Sequence, residues 1–275
     1  MELTEDYKRM HSMIRGLGNN AHLLDEMPWV PTSEHNPWKE CNKRILIVFQ
    51  SRTGTTWLCE LMKKTGVLGL PRESLHANQL ISEFRENGFE NFNEMMEENV
   101  KRHSTPNGVY AAKSGFFSLA PMFLVGEFPE NIKEWKIIFV KRRDELEQAI
   151  SIHKLNLNRQ AASWVEPTRE ITDEDYSFEE ISRELRNVRQ ANYAIETMLF
   201  SYGANYIELF YEDLCANPEK IIRNIAEYVE VGLGEVDTET RFKVQRNELT
   251  EIWKNRWREE VMRRNPLFQR IHFFE

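Results

Sequence analysis

The sequence predicts an α/β fold in which a central parallel sheet is flanked by helices within a single domain. Three short, continuous apolar runs rich in β-branched and aromatic residues carry this prediction, at residues 44–49, 135–140 and 206–210. Runs of this kind are typical of parallel strands that are buried on both faces. A helical pattern follows each run, and strands that alternate with helices form parallel sheets covered by helices on both sides.

The first strand leads directly into a helix. A tight turn containing Gly54 follows residues 44–49, and the helix is expected to begin near Thr55 or Thr56. Apolar side chains then recur at spacings that form one buried stripe, and Gly66 is expected to end the helix. The stripe consists of Trp57, Leu58, Leu61 and Met62. Strand, turn and helix form half of a βαβ unit.

Two further strands are each followed by a helix. A helix over residues 145–154 is expected after the second strand, and one that starts at Asn217 and Pro218 after the third. Asn is a favoured N-cap residue and Pro a favoured first-turn residue, so this start is well marked. Between the second and third strands, apolar residues at three- and four-residue steps predict a long amphipathic helix over residues 178–199.

Residues 1–42 are predicted to form an N-terminal arm packed on the domain, which then spans residues 43–275. The arm shows little hydrophobic periodicity, and it combines prolines with tryptophans that can anchor an extended segment. These residues are Pro28, Trp29, Pro31, Pro37 and Trp38.

Composition and charge exclude several classes of protein. The net charge of -8 disfavours nonspecific attraction to nucleic acid. No apolar run approaches the roughly 18 residues that span a bilayer. The first residues are acidic and polar, so we expect a cytoplasmic protein without membrane insertion. Cys41, Cys59 and Cys215 are odd in number and lack metal-ligand spacing, which predicts thiols in a reducing compartment and no structural zinc.

The turn between the first strand and its helix has the groups that bind an anion. A helix N-terminus presents unpaired backbone N–H groups and a partial positive charge. Gly54 permits the turn, and Arg52 adds a planar cation. Thr55 and Thr56 add hydroxyl donors. The P-loop of a kinase or ATPase would carry Lys and then Ser or Thr directly after its second glycine. In this sequence the cation precedes Gly54, which disfavours a kinase.

This turn and later segments resemble one enzyme family. Residues 50–58, Gln-Ser-Arg-Thr-Gly-Thr-Thr-Trp-Leu, resemble the 5′-phosphosulfate-binding loop of sulfotransferases that use 3′-phosphoadenosine-5′-phosphosulfate (PAPS). Residues 65–73 are similar to the bacterial trehalose 2-sulfotransferase family in particular. Residues 106–113 and 138–151 match the same family in the same order.

The resemblance weakens in other parts of the chain. Gln245, Trp253 and Arg256 resemble the C-terminal segment of the family only in residue type and spacing. Arg143 stands where the trehalose enzymes have Pro, and residues 156–176 match poorly. The Thr-Thr-Trp of the first loop is closer to the cytosolic sulfotransferases.

The resemblance implies a P-loop-like sulfotransferase fold and an enzyme that takes its sulfonate from PAPS and releases PAP. No metal is expected, because this donor has fewer charges to neutralise than a triphosphate. The loop residues implied in donor binding are Arg52, Thr53, Gly54, Thr55, Thr56 and Trp57. Arg142 and Ser151 are implied at the donor's 3′-phosphate. Arg142 follows a buried strand, and ligands of open α/β sheets bind at the carboxyl ends of strands.

Sulfonate transfer requires alignment, charge stabilisation and a base that removes the acceptor's proton. Arg52 is expected to carry most of the charge stabilisation. Glu73 falls on the position of the catalytic Glu in the trehalose enzymes and is the first candidate for the base. His76 is the competing candidate, because imidazole suits proton transfer at neutral pH. By the same resemblance, Lys113 contacts the sulfonate or the acceptor.

The acceptor is expected to be a small polar molecule with a hydroxyl or amine group. The resemblance suggests a carbohydrate, whereas the acidic and aromatic residues of segment 156–176 would favour a product of secondary metabolism such as a cationic alkaloid. Two alternatives stay open: a catalytically inactive module that binds PAP or another nucleotide and, less favoured, a small-molecule kinase. A homodimer is also left open, because the related enzyme forms dimers.

Overall fold

The computed structural model describes residues 36–124, 127–160, 164–240, 242 and 247–264. Within them, parallel strands form one four-stranded sheet in the order β2-β1-β3-β4. The strands are β1 (Lys43–Phe49), β2 (Val109–Gly115), β3 (Trp135–Lys141) and β4 (Tyr206–Phe210). The predicted parallel sheet is confirmed, and it includes the three predicted strands.

Strand β2 is absent from the sequence prediction. Its residues read Val-Tyr-Ala-Ala-Lys-Ser-Gly, and the last five have low β-propensity. The small side chains are needed because a neighbouring loop passes very close to this strand. A Cβ built on Gly69 would lie 2.4 Å from the Cβ of Ala111. The small residue at Ala111 is therefore explained by close packing against Gly69 rather than by β-propensity.

Helices cover the sheet and connect its strands. They are α1 (Thr55–Lys64), α2 (Ala77–Asn87), α3 (Phe92–His103), α4 (Ala120–Leu124), α5 (Glu145–Asn158), α6 (Phe178–Ser201), α7 (Tyr211–Ala216), α8 (Pro218–Val229) and α9 (Glu248–Arg264). The long helix α6 matches its predicted start, and α8 begins after Asn217, whose side chain accepts a bond from the Lys220 N–H at 3.0 Å. Among the described residues, no helix is long and apolar enough to cross a membrane.

Both faces of the sheet are buried, which explains the continuous apolar sequence of β1. Ile45 and Ile47 point into a core that contains α1, α7 and α8. Leu46 and Val48 point into a second core on the opposite face, formed with α2, α3 and the C-terminal part of α6. Because successive strand residues face opposite sides, an apolar residue is needed at every position.

The first described residues pack beside the start of the sheet. The indole N–H of Trp38 donates to one oxygen of Glu127 at 3.0 Å, and the indole N–H of Trp135 donates to the other at 3.0 Å. Arg44 adds an ion pair with Glu127 at 3.1 Å. Burial raises the pKa of Glu127, and these donors act in the opposite direction. Trp38 of the predicted arm is therefore an anchor, whereas residues 1–35, with Trp29, lie outside the described residues.

The chain divides into two compact units. The first comprises residues 1–141 and 192–240 and contains the sheet. The second comprises residues 142–191 and 241–275. Its described part has a small core of its own, to which α5, α6 and α9 contribute. This core consists of Ala149, Ile150, Ile181, Leu185 and Trp253.

The three thiols are expected to differ sharply in reactivity, because the thiolate is the reactive form. None of the three cysteines forms a disulfide, and Cys215 is exposed whereas Cys59 is buried. Burial raises the pKa of Cys59 to about 11. In the native protein at pH 8, Ellman's reagent should therefore label Cys215 rapidly and Cys59 only after unfolding. The variant Cys215→Ser should lose the rapid phase, and its persistence would contradict this assignment.

Candidate functional site

The connection between β1 and α1 is a tight turn that is stabilised by a hydrogen bond within it. Arg52 and Gly54 both adopt left-handed backbone conformations, with φ of 69° and 74°. The hydroxyl of Thr53 donates to the carbonyl oxygen of Gln50 at 3.0 Å. This bond fixes the turn, so the Thr53 side chain has a structural role here. A left-handed conformation is unusual for arginine, and such outliers are often found at functional sites.

Gly54 is required at the start of α1 for two reasons. Its φ of 74° disfavours a side chain, and a Cβ at this position would lie 2.5 Å from Cδ2 of Tyr211. Gly54 is also the N-cap of α1, and it provides no side-chain bond to the first N–H groups of the helix. The first turn of α1 contains no acidic residue. The helix N-terminus therefore keeps its positive partial charge, which suits the predicted anion site.

Lys113 brings three of the predicted site residues together. It lies in β2 with 9% of its surface exposed, and its Nζ donates to Oγ1 of Thr56 at 3.2 Å. The same Nζ lies 3.1 Å from Oε1 of Glu73 and 5.4 Å from the ring centroid of Phe49. A cation, a hydroxyl group and a carboxylate thus meet beside the first turn of α1.

Hydrogen bonds fix the backbone on both sides of Glu73. The carbonyl oxygen of Arg72 accepts a bond from the Lys113 N–H at 2.7 Å. Ser74 is buried, and its backbone carbonyl accepts from the side-chain amide of Asn99 at 3.1 Å. The Ser74 hydroxyl lies 3.3 Å from the hydroxyl of Tyr110, which donates to Asn99 Oδ1 at 2.9 Å. The backbone on both sides of Glu73 is therefore fixed.

Glu73 itself remains accessible, because its side chain is 54% exposed. The backbone N–H of His76 donates to the carbonyl oxygen of Glu73 at 3.1 Å, so the two candidate bases lie on one turn. Trp57, the last residue of the predicted loop set, is half-buried against the core of α1. Its indole N–H is buried and has no hydrogen-bond partner among the described residues.

A second group of predicted residues lies in the second unit. Asp144 caps α5 by accepting a bond from the Glu147 N–H at 2.8 Å. Arg142 forms a hydrogen-bonded ion pair with Glu147, and both side chains are buried. Glu147 and Ser151 are four residues apart on α5 and so share one face of the helix. The pair with Glu147 places the Arg142 guanidinium on the face that carries Ser151.

The neighbours of Arg142 have different environments. Lys141 is neutralised within the first unit by Glu196 at 3.0 Å and Glu208 at 2.7 Å. Arg143 is exposed. Of the three consecutive cations, Arg142 is the buried one.

Two residues at this second group have no signature in the sequence. Lys254, in α9, lies 2.6 Å from Oδ2 of Asp144 and 3.8 Å from Oε2 of Glu147. Burial raises the pKa of Asp144, but the bonds from the Lys254 ammonium and the Glu147 N–H outweigh it and hold the pKa below its ordinary value. Glu147 and Lys254 are missed because each looks like an ordinary surface charge on a helix. Gln245, which resembles a family residue, lies outside the described residues.

Within the described ranges, no cluster of three or more His, Cys, Asp or Glu side chains is arranged as a metal site.

Comparison with known proteins supports one family. The Stf0 sulphotransferase family model matches residues 127–260, which include Arg142, Ser151, Glu147 and Lys254. This match confirms the predicted resemblance to the sulfotransferases. The loop of residues 50–58 and Glu73 precede the matched segment. No curated protein matches the chain.

Solved structures provide a more distant likeness. A retinol dehydratase in complex with retinol and PAP is 14% identical, with a TM-score of 0.42, and the alignment covers 87% of this chain and 84% of that one. A retinol dehydratase in complex with androsterone and the inactive cofactor PAP is 15% identical, with a TM-score of 0.38 and coverage of 86% and 68%.

Replacing Gly54 by Ala should destabilise the protein more than the same change at Gly66. Both glycines are left-handed, with φ of 74° and 67°, so each substitution costs about 1 kcal/mol or more from backbone strain. Only the Cβ at Gly54 meets Tyr211, whereas the Cβ at Gly66 has no atom within 4 Å among the described residues. Urea unfolding of both variants measures the difference. Equal losses would show that Tyr211 does not crowd the turn.

Proposed function

We propose that the protein is a sulfotransferase that moves a sulfonate group from PAPS to a hydroxyl or amine group of a small polar acceptor and releases PAP. The observation that carries the proposal is the contact of Lys113 with both Thr56 and Glu73 at the N-terminus of α1. A helix N-terminus and a buried cation suit the donor's anionic group. An accessible carboxylate beside them suits removal of the acceptor's proton.

The loop after β1 is proposed to bind the 5′-phosphosulfate. Backbone N–H groups of Thr53 to Thr56 would bind its oxygens, because Gly54 at the N-cap of α1 makes no side-chain bond to the first N–H groups of the helix. Arg52 would add a planar cation and Thr56 a hydroxyl group. The buried indole N–H of Trp57 is a further donor that a ligand could satisfy.

Arg142 and Ser151 are proposed to bind the donor's 3′-phosphate. They lie in the segment that the family model matches, and Glu147 holds Arg142 toward the face of α5 that carries Ser151. In the sheet, Val140 of β3 is level with Phe49 of β1. The chain therefore leaves both strands at the carboxyl edge of the sheet, where ligands of open α/β sheets bind.

The proposed chemistry is a direct in-line transfer. The acceptor oxygen or nitrogen forms a bond to sulfur while the bond between sulfur and the 5′-phosphate oxygen breaks. The electron pair of that bond leaves with PAP, where Arg52, Lys113 and the loop N–H groups would stabilise the charge. The acceptor's proton passes to Glu73, whose carboxylate is accessible and held by Lys113. His76 remains the alternative base.

The structure offers little support for an acceptor with a positive charge. In the segment that could select such a molecule, Asp175 pairs with Arg169 at 2.7 Å and also accepts from the Thr172 N–H at 2.9 Å. Asp173 accepts from the indole N–H of Trp253 at 3.0 Å. These two carboxylates have structural roles, whereas Glu166, Glu170 and Glu174 of the same segment are exposed. The paired carboxylates favour a neutral acceptor such as a carbohydrate, and the exposed ones keep an amine-bearing acceptor in the proposal.

Transfer can be tested by incubating the protein with PAPS and a panel of sugars, alcohols and amines. Mass spectrometry should detect a sulfonated product, with release of PAP. Binding of PAP without any product from a broad panel would favour an inactive nucleotide-binding module. Magnesium-dependent ATP binding would favour a kinase.

Replacing Arg52 by Ala should lower kcat/KM for PAPS roughly hundredfold, because a cation that stabilises the leaving group is lost. The matched control is Arg102→Ala, which removes an exposed arginine paired with Glu98 on α3 and should leave kcat/KM unchanged. Full activity of the Arg52 variant would exclude the proposed donor site.

Replacing Glu73 by Gln should lower kcat roughly hundredfold or more, while the affinity for PAP changes little, because the base acts on the acceptor and not on the donor. The parallel variant His76→Gln should retain most of the activity. The reverse result, with the loss at His76, would transfer the role of base to that residue. Steady-state kinetics and PAP titrations measure both quantities.

A further inference from the structure

Lys254 is a buried cation that the proposed mechanism does not use. Its residue is 4% exposed, although lysine is rarely buried unless it is paired. Carboxylates of three residues lie within 4 Å of its Nζ: Asp144 at 2.6 Å, Glu251 at 3.3 Å and Glu147 at 3.8 Å. Removing such a charge from water costs several kcal/mol, so the network around it must have a compensating role.

The network connects Lys254 to Arg142 through one carboxylate. Oε1 of Glu147 pairs with Nη2 of Arg142, and Oε2 of the same group faces Lys254. Lys254 also binds Oδ2 of Asp144, whose Oδ1 caps α5 at the Glu147 N–H. Lys254 thus contacts two carboxylates of this group, and one of them, Glu147, pairs with Arg142.

Charge balance explains why such a cation is needed. Arg142 and Lys254 share this cluster with three carboxylates, Asp144, Glu147 and Glu251, so two cations face three anions and the net charge is -1. Without Lys254 the surplus of negative charge around Arg142 would grow to -2. That surplus would repel an incoming phosphate and would draw the guanidinium away from it.

We propose that Lys254 is a positioning residue for the 3′-phosphate of the donor: it offsets Asp144 and Glu147 and thereby leaves Arg142 available to that phosphate. The inference rests on the proposed function, which assigns the 3′-phosphate to Arg142 and Ser151. Lys254 does not itself touch the donor in this account. It acts through Glu147, and all of these residues belong to the second unit.

The test compares two ligands that differ only in the 3′-phosphate. Calorimetric titration with PAP and with adenosine 5′-phosphate gives the ratio of their affinities for each variant. Lys254→Met should reduce the preference for PAP roughly tenfold, because one unit charge is lost near the phosphate. Lys254→Arg should largely restore it. A role restricted to packing would lower both affinities together and leave their ratio unchanged.

The matched control is Arg183→Met. Arg183 also lies in the second unit, but it is exposed on α6 and its guanidinium pairs with Glu180 and Glu184 of the same helix. Its loss should leave the ratio unchanged. If Lys254→Met fails to fold, Lys254→Gln removes the charge while it keeps an N–H donor for Asp144, and the same fall in the ratio is expected.

The outcomes separate this inference from the function on which it rests. If the wild-type protein prefers PAP and the Lys254→Met and Lys254→Gln variants keep that preference, the proposed role of Lys254 is wrong. The assignment of Arg142 to the 3′-phosphate then still stands. A wild-type protein that binds PAP no better than adenosine 5′-phosphate overturns both the role of Lys254 and the assignment of Arg142.

Discussion

The packing of the Tyr211 ring against Gly54 is the constraint on which the site depends. It allows the chain to leave β1, reverse through two left-handed residues and begin α1 without a side chain at its N-cap. Gly54 therefore offers no side-chain cap to the first N–H groups of α1, and Lys113 of the neighbouring strand bonds to Thr56 in this turn. Any larger residue at position 54 would separate the turn from Tyr211 and disturb this arrangement.

Within each unit, the buried cations considered for donor binding are paired with a specific carboxylate. Lys113 is held by Glu73, and Arg142 by Glu147, which in turn faces Lys254. An acidic protein with a net charge of -8 can bind an anionic donor only if its cations are concentrated and oriented. The carboxylates provide that orientation, and Glu73 is the more exposed of them, with 54% of its side chain accessible.

Much of the fold follows from the sequence, because buried parallel strands and capped helices have strong local patterns. Strands β1, β3 and β4 and helix α6 are predicted on this basis. Strand β2 is not, because Ala111 is selected by the close approach of Gly69, which no local pattern reveals. The pairing of Lys113 with Glu73 depends on the register of that strand. The burial of Lys254 depends on tertiary packing of a helix whose sequence is mostly charged.

The central claim is that the turn after β1 binds the donor's phosphosulfate, and a crystal structure of the protein with PAP tests it most directly. We expect the 5′-phosphate within hydrogen-bond distance of the backbone N–H groups of Thr53 to Thr56, with Arg52 and Lys113 beside it. We also expect the 3′-phosphate on Arg142 and Ser151. A complex in which PAP occupies another part of the molecule, with the turn at Gly54 making no contact to either phosphate, would exclude this donor site.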